Sequence, residues 1–235
     1  MSAFEDPTSR PYARLTGALY LMIAAAGGFS ILYVPATLNV AGDTAATFTN
    51  IARHRGLFHA GLLGDLVMMM AEVMVSAMLY FMFRSANAAL SLAASYARLM
   101  MVAVMAAMLF FHAGSLALAD GAVPLGSFSQ EQRIELAGLM RYIHHAGVWI
   151  WQLFFCLHLT LLGTLVVRSG LYPRLIGIGL LVGGTGYLVD SIQMFAFPDQ
   201  MALETVKIIL LSITTLSEIG FSLWLIARGP HRPAF

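Results

Sequence analysis

The sequence predicts an all-α integral membrane protein, a helical bundle of six transmembrane helices with short interfacial helices in its two long outer loops. Composition is the first observation behind this fold class, because the chain is 59% hydrophobic and only 11% charged, whereas soluble domains average roughly 25% charged residues. The second is that apolar stretches close to the ~20 residues needed to cross a bilayer recur along the chain. The six predicted helices cover residues 13–34, 57–83, 90–118, 142–167, 174–195 and 203–227.

Polar termini flank the predicted bundle. We expect residues 1–12 to be a disordered N-terminal tail, residues 13–227 to form a single six-helix transmembrane domain, and residues 228–235 to be a short C-terminal tail. The apolar stretch after Arg14 is longer than the roughly 7–15 apolar residues of a signal peptide. It is therefore predicted to stay in the protein as the first helix.

Helix-start signals lie in the two long loops. In the first loop, Asp43 is a candidate N-cap for a short interfacial helix over residues 45–54. In the second, Ser129-Gln130-Glu131-Gln132 is a capping-box pattern, in which the Ser and Gln side chains satisfy each other's backbone N–H groups. This pattern indicates that the fourth helix starts near Gln130, outside the membrane, instead of at residue 142. The arginine distribution favours both termini in the cytoplasm and the long loops outside.

Ionisable side chains recur within the predicted helices at spacings close to whole helical turns. Asp65 and Glu72 are seven residues apart, and His144 and His158 are fourteen apart. Charged groups are expensive in hydrocarbon, so these faces are expected to turn toward a shared polar interior. The residues expected to line an outward-facing polar cavity are Asp65, Glu72, Arg98, His158, Asp190 and Glu218.

Four of these residues fall at a similar depth when each helix is given a rise of 1.5 Å per residue. Arg98 stays charged and needs a carboxylate partner. We expect its guanidinium fork to bind Glu72, because consecutive helices are usually neighbours. Glu218 and His158 are then left as a candidate proton-sharing or ligand pair. The alternative is that all four side chains only fix the register of the helices.

Histidines near the outer ends of three helices form a candidate metal site. His59, His112 and His144 are its expected ligands, because imidazole binds zinc, copper, iron and haem. The cofactor would be a divalent metal or haem b, and the alternative is that these are solvated or core histidines.

Methionines crowd the second and third helices, where packing is favoured over a path for Cu(I). Cys156 is the one cysteine, which excludes an intrachain disulfide.

One helix suggests a surface for packing against another helix, and the overall charge argues against a nucleic acid partner. Gly179 and Gly183 on the fifth helix form a small-xxx-small pair that lets another helix approach closely. That helix could belong to the same chain, to a second copy or to another membrane protein. The formal net charge of +1 provides no basic patch for phosphates, so no nucleic acid partner is expected.

Several stretches resemble a bacterial multi-pass membrane family catalogued as domain of unknown function 4386. The resembling stretches are residues 14–21 (RLTGALYL), 42–47 (GDTAAT), 162–177 (LGTLVVRSGLYPRLIG) and 186–191 (GYLVDS). The resemblance implies a fold of six or seven membrane helices and a place in the bacterial inner (cytoplasmic) membrane, in contact with the lipid bilayer. It implies no activity.

Three functions are compatible with these patterns. The first is a receptor, carrier or sensor that binds a small solute or protons in the polar cavity. The second is a membrane-embedded enzyme that binds a metal or haem, and the third is a structural or assembly subunit. The absence of a GxSxG motif and of Walker or Rossmann glycines gives no support to serine hydrolase or nucleotide chemistry. Whether the protein is an enzyme is left open.

Overall fold

The computed structural model describes residues 6–119, 122 and 124–230, and every regular element in this part of the chain is a helix. The first span, Arg10–Leu38, is continuous and consists of α1, a π-helical segment and α2. Six helical spans are long and apolar enough to cross a membrane, which confirms the predicted all-α membrane bundle. The elements are α1 (Arg10–Gly27), the π-helical segment (Gly28–Tyr33), α2 (Val34–Leu38), α3 (Thr44–Arg53), α4 (Arg55–Phe83), α5 (Ala88–Ala119), α6 (Gln130–Ser169), α7 (Arg174–Ala196) and α8 (Met201–Ala227).

The first span begins earlier and ends later than predicted. It starts at Arg10, so residues 10–12 of the predicted tail are helical, while residues 1–5 and 231–235 of the two predicted tails lie outside the described residues. The helix also continues through Pro35, at which the prediction ended it. Proline has no N–H and its ring crowds the carbonyl four residues earlier. Just before Pro35, the helical hydrogen bonds span five residues instead of four, since the N–H of Val34 donates to the carbonyl of Phe29, as in a π-bulge.

Both helix-start signals read from the sequence are present as hydrogen bonds. Asp43 accepts a hydrogen bond from the backbone N–H of Ala46 at 2.8 Å and caps α3. At the start of α6, the N–H of Gln132 donates to Ser129 Oγ at 3.2 Å, and the N–H of Ser129 donates to Gln132 Oε1 at 2.9 Å. The stretch expected to hold a second short interfacial helix is therefore the first part of α6, which is 40 residues long.

Contacts divide the chain into two compact units. Unit 1 comprises the described residues within 1–22, 71–102 and 149–235, and unit 2 those within 23–70 and 103–148. Unit 2 has its own apolar core, to which the short helix α3 contributes Phe48 and Ile51, and α4 contributes Phe58. Asn50 anchors α3 further by donating to the backbone carbonyls of Thr37 and Leu38.

Within unit 1, α7 and α8 pack at close range through glycine. A Cβ atom built on Gly183 would overlap the backbone nitrogen of Thr214, and one built on Gly179 would overlap the hydroxyl of Ser217. The small-xxx-small pair therefore provides a close helix approach inside the chain, as its spacing predicts. Association of this helix with a second copy or another membrane protein stays a prediction.

We expect Gly183→Ala to destabilise the protein by about 1–3 kcal/mol, because the added methyl meets rigid backbone and forces α7 and α8 apart. Thermal unfolding of the detergent-purified protein measures this. Gly220→Ala is the matched control, since nothing lies within 4 Å of a Cβ at that position of α8. The control should be neutral or slightly stabilising. Equal unfolding temperatures for the two variants would contradict the close approach.

Candidate functional site

A fully buried arginine lies at the centre of a polar cluster in unit 1. Arg98 of α5 is 0% exposed, so its charge and its N–H donors need protein partners. Its Nε donates to the carboxylate of Glu72 on α4. Its Nη1 donates to the hydroxyl oxygen of Tyr20 at 2.7 Å and to Nε2 of His158 at 2.9 Å. These contacts use three of the five guanidinium N–H donors.

The predicted pairing of Arg98 with Glu72 is present, but its geometry differs from the expected fork. Glu72 binds through Nε, while Nη1 is taken by Tyr20 and His158. One guanidinium therefore links four helices, because Tyr20 belongs to α1, Glu72 to α4, Arg98 to α5 and His158 to α6.

Hydrogen bonding defines the protonation state of His158. Arginine can only donate, so Nε2 of His158 carries the lone pair that accepts from Arg98. Nδ1 lies 2.9 Å from the backbone carbonyl of Ala94, which can only accept. Nδ1 therefore carries the hydrogen, and the ring is neutral with both nitrogens in use. The expected pair between His158 and Glu218 is not formed, because neither ring nitrogen is left for the carboxylate.

Aromatic rings enclose the guanidinium. The Arg98 Cζ atom lies 4.7 Å from the ring centroid of Tyr20 and 5.8 Å from that of Phe155, which places the cation over two negative ring faces. Phe155 also stacks on His158, with centroids 5.9 Å apart and planes at 8°. Phe221 of α8 packs edge-on against Tyr20 at 5.9 Å. These contacts keep the polar groups in a largely apolar enclosure.

Glu218 of α8 stands beside this network without joining its hydrogen bonds. Its carboxylate interacts electrostatically with Arg98 and Glu72, and also with Tyr20 and Tyr187. Within the described part of the chain it makes no hydrogen bond. Glu218 is half-buried, whereas Glu72, Arg98 and His158 are buried. We call these four residues, with Tyr20, the Arg98 cluster.

Asp190 belongs to a separate network in unit 1. Its Oδ1 accepts from Nζ of Lys207 at 3.0 Å, and its Oδ2 accepts from Nε2 of Gln152 at 2.8 Å. Lys207 also pairs with Glu204 at 2.8 Å. Asp190 thus shares the Lys207 cation with Glu204, and its partners tie α6, α7 and α8 together. Asp65 lies in unit 2, where it interacts with the hydroxyl of Ser30.

A cavity in unit 2 does not contain the residues expected to line the polar cavity. Its volume is about 330 Å³, and it is bordered by residues of α3 together with Ala119, Gln130 and Ile134. None of the six residues expected to line a polar cavity borders it. Four of the six, Glu72, Arg98, His158 and Glu218, are brought together in the Arg98 cluster instead.

Two of the three predicted metal-ligand histidines are neighbours in unit 2. The rings of His112 and His144 have centroids 4.5 Å apart, while His59 is exposed. Among the described residues, no three His, Cys, Asp or Glu side chains are grouped so as to hold a metal ion. The structure therefore forms a histidine pair without the third histidine.

Tyr20 and Phe155 are site residues that the sequence did not single out. Tyr20 follows Tyr12 and Thr16 at four-residue intervals, and all three side chains are buried. A stripe of hydroxyl-bearing residues on one face of an apolar helix is the signal that could have identified it. Phe155 has no such signal, because it lies in a run of apolar residues.

Comparisons with known proteins extend over most of the chain. The family model described as "Domain of unknown function (DUF4386)" matches residues 15–229. An uncharacterized protein of Archaeoglobus fulgidus is 34% identical over 77 residues, which cover 33% of this chain. The match spans 43% of that relative's length, less than half. No solved structure matches.

Arg98→Leu should destabilise the protein by about 3–5 kcal/mol, because it leaves Glu72 buried without its cation. Adding Glu72→Gln to that variant should recover part of the loss, since the stranded charge is then removed. Unfolding of both variants in detergent measures the difference. Arg84→Leu, at an exposed arginine, is the control and should have little effect. A double variant no more stable than Arg98→Leu would show that the two side chains are not coupled.

Proposed function

This chain belongs to the DUF4386 family and is a multi-pass membrane protein, and from this starting point we propose that it is a proton-binding carrier or sensor. The proton-binding site is the Arg98 cluster, and Glu218 is the group that takes up and releases the proton. The protein is placed in the cytoplasmic membrane in this proposal, and the arginine distribution supports both termini in the cytoplasm.

The charge balance of the Arg98 cluster carries this proposal. Two carboxylates, Glu72 and Glu218, lie near a single guanidinium, and the hydrogen bonds of His158 make its ring neutral. With both carboxylates ionised, the cluster holds one unbalanced negative charge. A charged carboxylate at the centre of a membrane helix costs about 2.5–3.5 kcal/mol or more. One proton removes this cost.

Glu218 is better suited than Glu72 to hold the exchanging proton. Glu72 is hydrogen-bonded to Arg98 and buried, so protonating it would weaken that charge-assisted contact. The carboxylate of Glu218 makes no hydrogen bond within the described residues, and the residue is half-buried. A proton, or a small polar solute that competes with it, therefore reaches the cluster most directly through Glu218.

Proton release would change the contacts of Arg98. A second negative charge beside the guanidinium competes with Glu72 and draws Arg98 toward α8. The hydrogen bonds from Nη1 to Tyr20 and His158 are then strained, and these residues belong to α1 and α6. Proton occupancy is in this way coupled to helix packing, as a carrier or a sensor requires.

Infrared difference spectroscopy of the purified protein tests the proposal. We expect the C=O stretching band of a protonated carboxylic acid, which shifts when the protein is transferred to D2O because the proton exchanges. Glu218→Gln should remove this band, since it keeps the side-chain shape and eliminates the acid.

Glu204→Gln is the matched control, because it makes the same change on the same helix at a carboxylate already paired with Lys207. It should leave the band in place. A band that survives Glu218→Gln, or its absence from the wild-type protein, would overturn the assignment of the proton to Glu218.

A further inference from the structure

A second group of ligand side chains lies in unit 2, where α5 and α6 meet. We propose that Met108, His112 and His144 bind one soft monovalent cation, which in a cell is Cu(I). The site is independent of the proposed proton chemistry, because none of its residues belongs to the Arg98 cluster.

The hydrogen bond of His144 prepares this side chain for metal binding. Its Nδ1 lies 3.0 Å from the backbone carbonyl of Met108, and a carbonyl can only accept. Nδ1 therefore carries the hydrogen, and Nε2 presents a bare lone pair. Histidines that bind metals usually donate their other ring N–H to a carbonyl or carboxylate in this manner, which fixes the orientation of the ring.

His112 supplies a nitrogen that has no partner within the chain. Its Nδ1 is buried and makes no hydrogen bond among the described residues, and a buried polar group left unsatisfied is destabilising. The ring is held in place by stacking on Phe58, with centroids 4.8 Å apart and planes at 24°. His144 lies edge-on to it, with planes at 73°. A bound cation would satisfy the orphan nitrogen.

The thioether of Met108 lies beside the turn of α6 that follows His144. Met108 is one turn before His112 on α5, so the two side chains share a helix face. A Cβ atom built on Gly147 would lie 2.7 Å from the Met108 sulfur, and Gly147 is one turn after His144 on α6. The missing side chain at Gly147 is what admits the sulfur to the contact between the two helices.

The donor set and the charges around it select the ion. Two imidazoles and a thioether are neutral, soft or borderline ligands, and thioethers favour Cu(I). Zinc sites use three or four ligands drawn from Cys, His, Asp and Glu, and no such group of three exists among the described residues. Arg141 interacts electrostatically with both histidines. Its positive charge disfavours a divalent ion more than a monovalent one.

Anaerobic titration of the detergent-purified, full-length protein tests the site. Cu(I) is added in competition with the chromogenic chelator bicinchoninate, and we expect the wild-type protein to withhold one equivalent. His112→Ala should abolish this binding. Met108→Leu should weaken it by roughly tenfold or more, because even the loss of a group that only orients a ligand costs metal affinity that much. His59→Ala and Met70→Leu change exposed residues and should bind like the wild type.

Met108→Leu keeps the result decisive if His112→Ala does not fold, because leucine preserves the size and apolar character of methionine. Silver(I), a substitute for Cu(I) that is stable to oxidation, gives a second readout in protein labelled with 13C at the methionine methyls. It should shift the Met108 methyl signal, identified by its absence from Met108→Leu. Failure of the wild-type protein to withhold Cu(I), undiminished binding by Met108→Leu, or an unshifted Met108 signal would each overturn the proposal.

Discussion

A charged guanidinium with no contact to solvent is the constraint on which the packing of unit 1 depends. Arg98 is 0% exposed, and its hydrogen-bond partners come from three other helices: Tyr20 from α1, Glu72 from α4 and His158 from α6. Moving α4 would leave the charge uncompensated in an apolar surrounding, and moving α1 or α6 would leave guanidinium N–H donors without an acceptor. Glu218 lies beside this guanidinium and interacts with it electrostatically.

The sequence predicts the ion pair in the Arg98 cluster but not the hydrogen bonds of His158, and each outcome has a physical reason. The pairing of Arg98 with Glu72 follows from the cost of buried charge and from the proximity of consecutive helices, both of which a sequence reveals. The tautomer of His158 depends on the carbonyl of Ala94, and backbone carbonyls leave no trace in a residue pattern. The predicted pair with Glu218 was wrong for that reason. Likewise, the number of spans and the caps of α3 and α6 could be predicted from the sequence. The continuation of the first span past Pro35 could not.

Unit 2 shows how far histidine spacing alone can be trusted. His59 was expected to join His112 and His144, but its neighbour Phe58 takes the inward position and stacks on His112, and adjacent residues on a helix diverge by about 100°. The absence of a side chain at Gly147 instead leaves room for the Met108 thioether at the contact between α5 and α6. Because the sequence has many methionines, their number alone does not indicate that Met108 is the one at this helix contact.

The length of α6 has a practical consequence. Its 40 residues extend about 60 Å at 1.5 Å per residue, roughly twice the thickness of the hydrocarbon core of a bilayer. Its first turns present Glu131 and Glu135 as exposed residues, while Ala137 on the same turns packs into the apolar core of unit 2. This charged and exposed start of a helix is a natural epitope for an antibody fragment. Bound there, the fragment would add the mass and the rigid reference that a 25.5 kDa membrane protein lacks for electron cryo-microscopy.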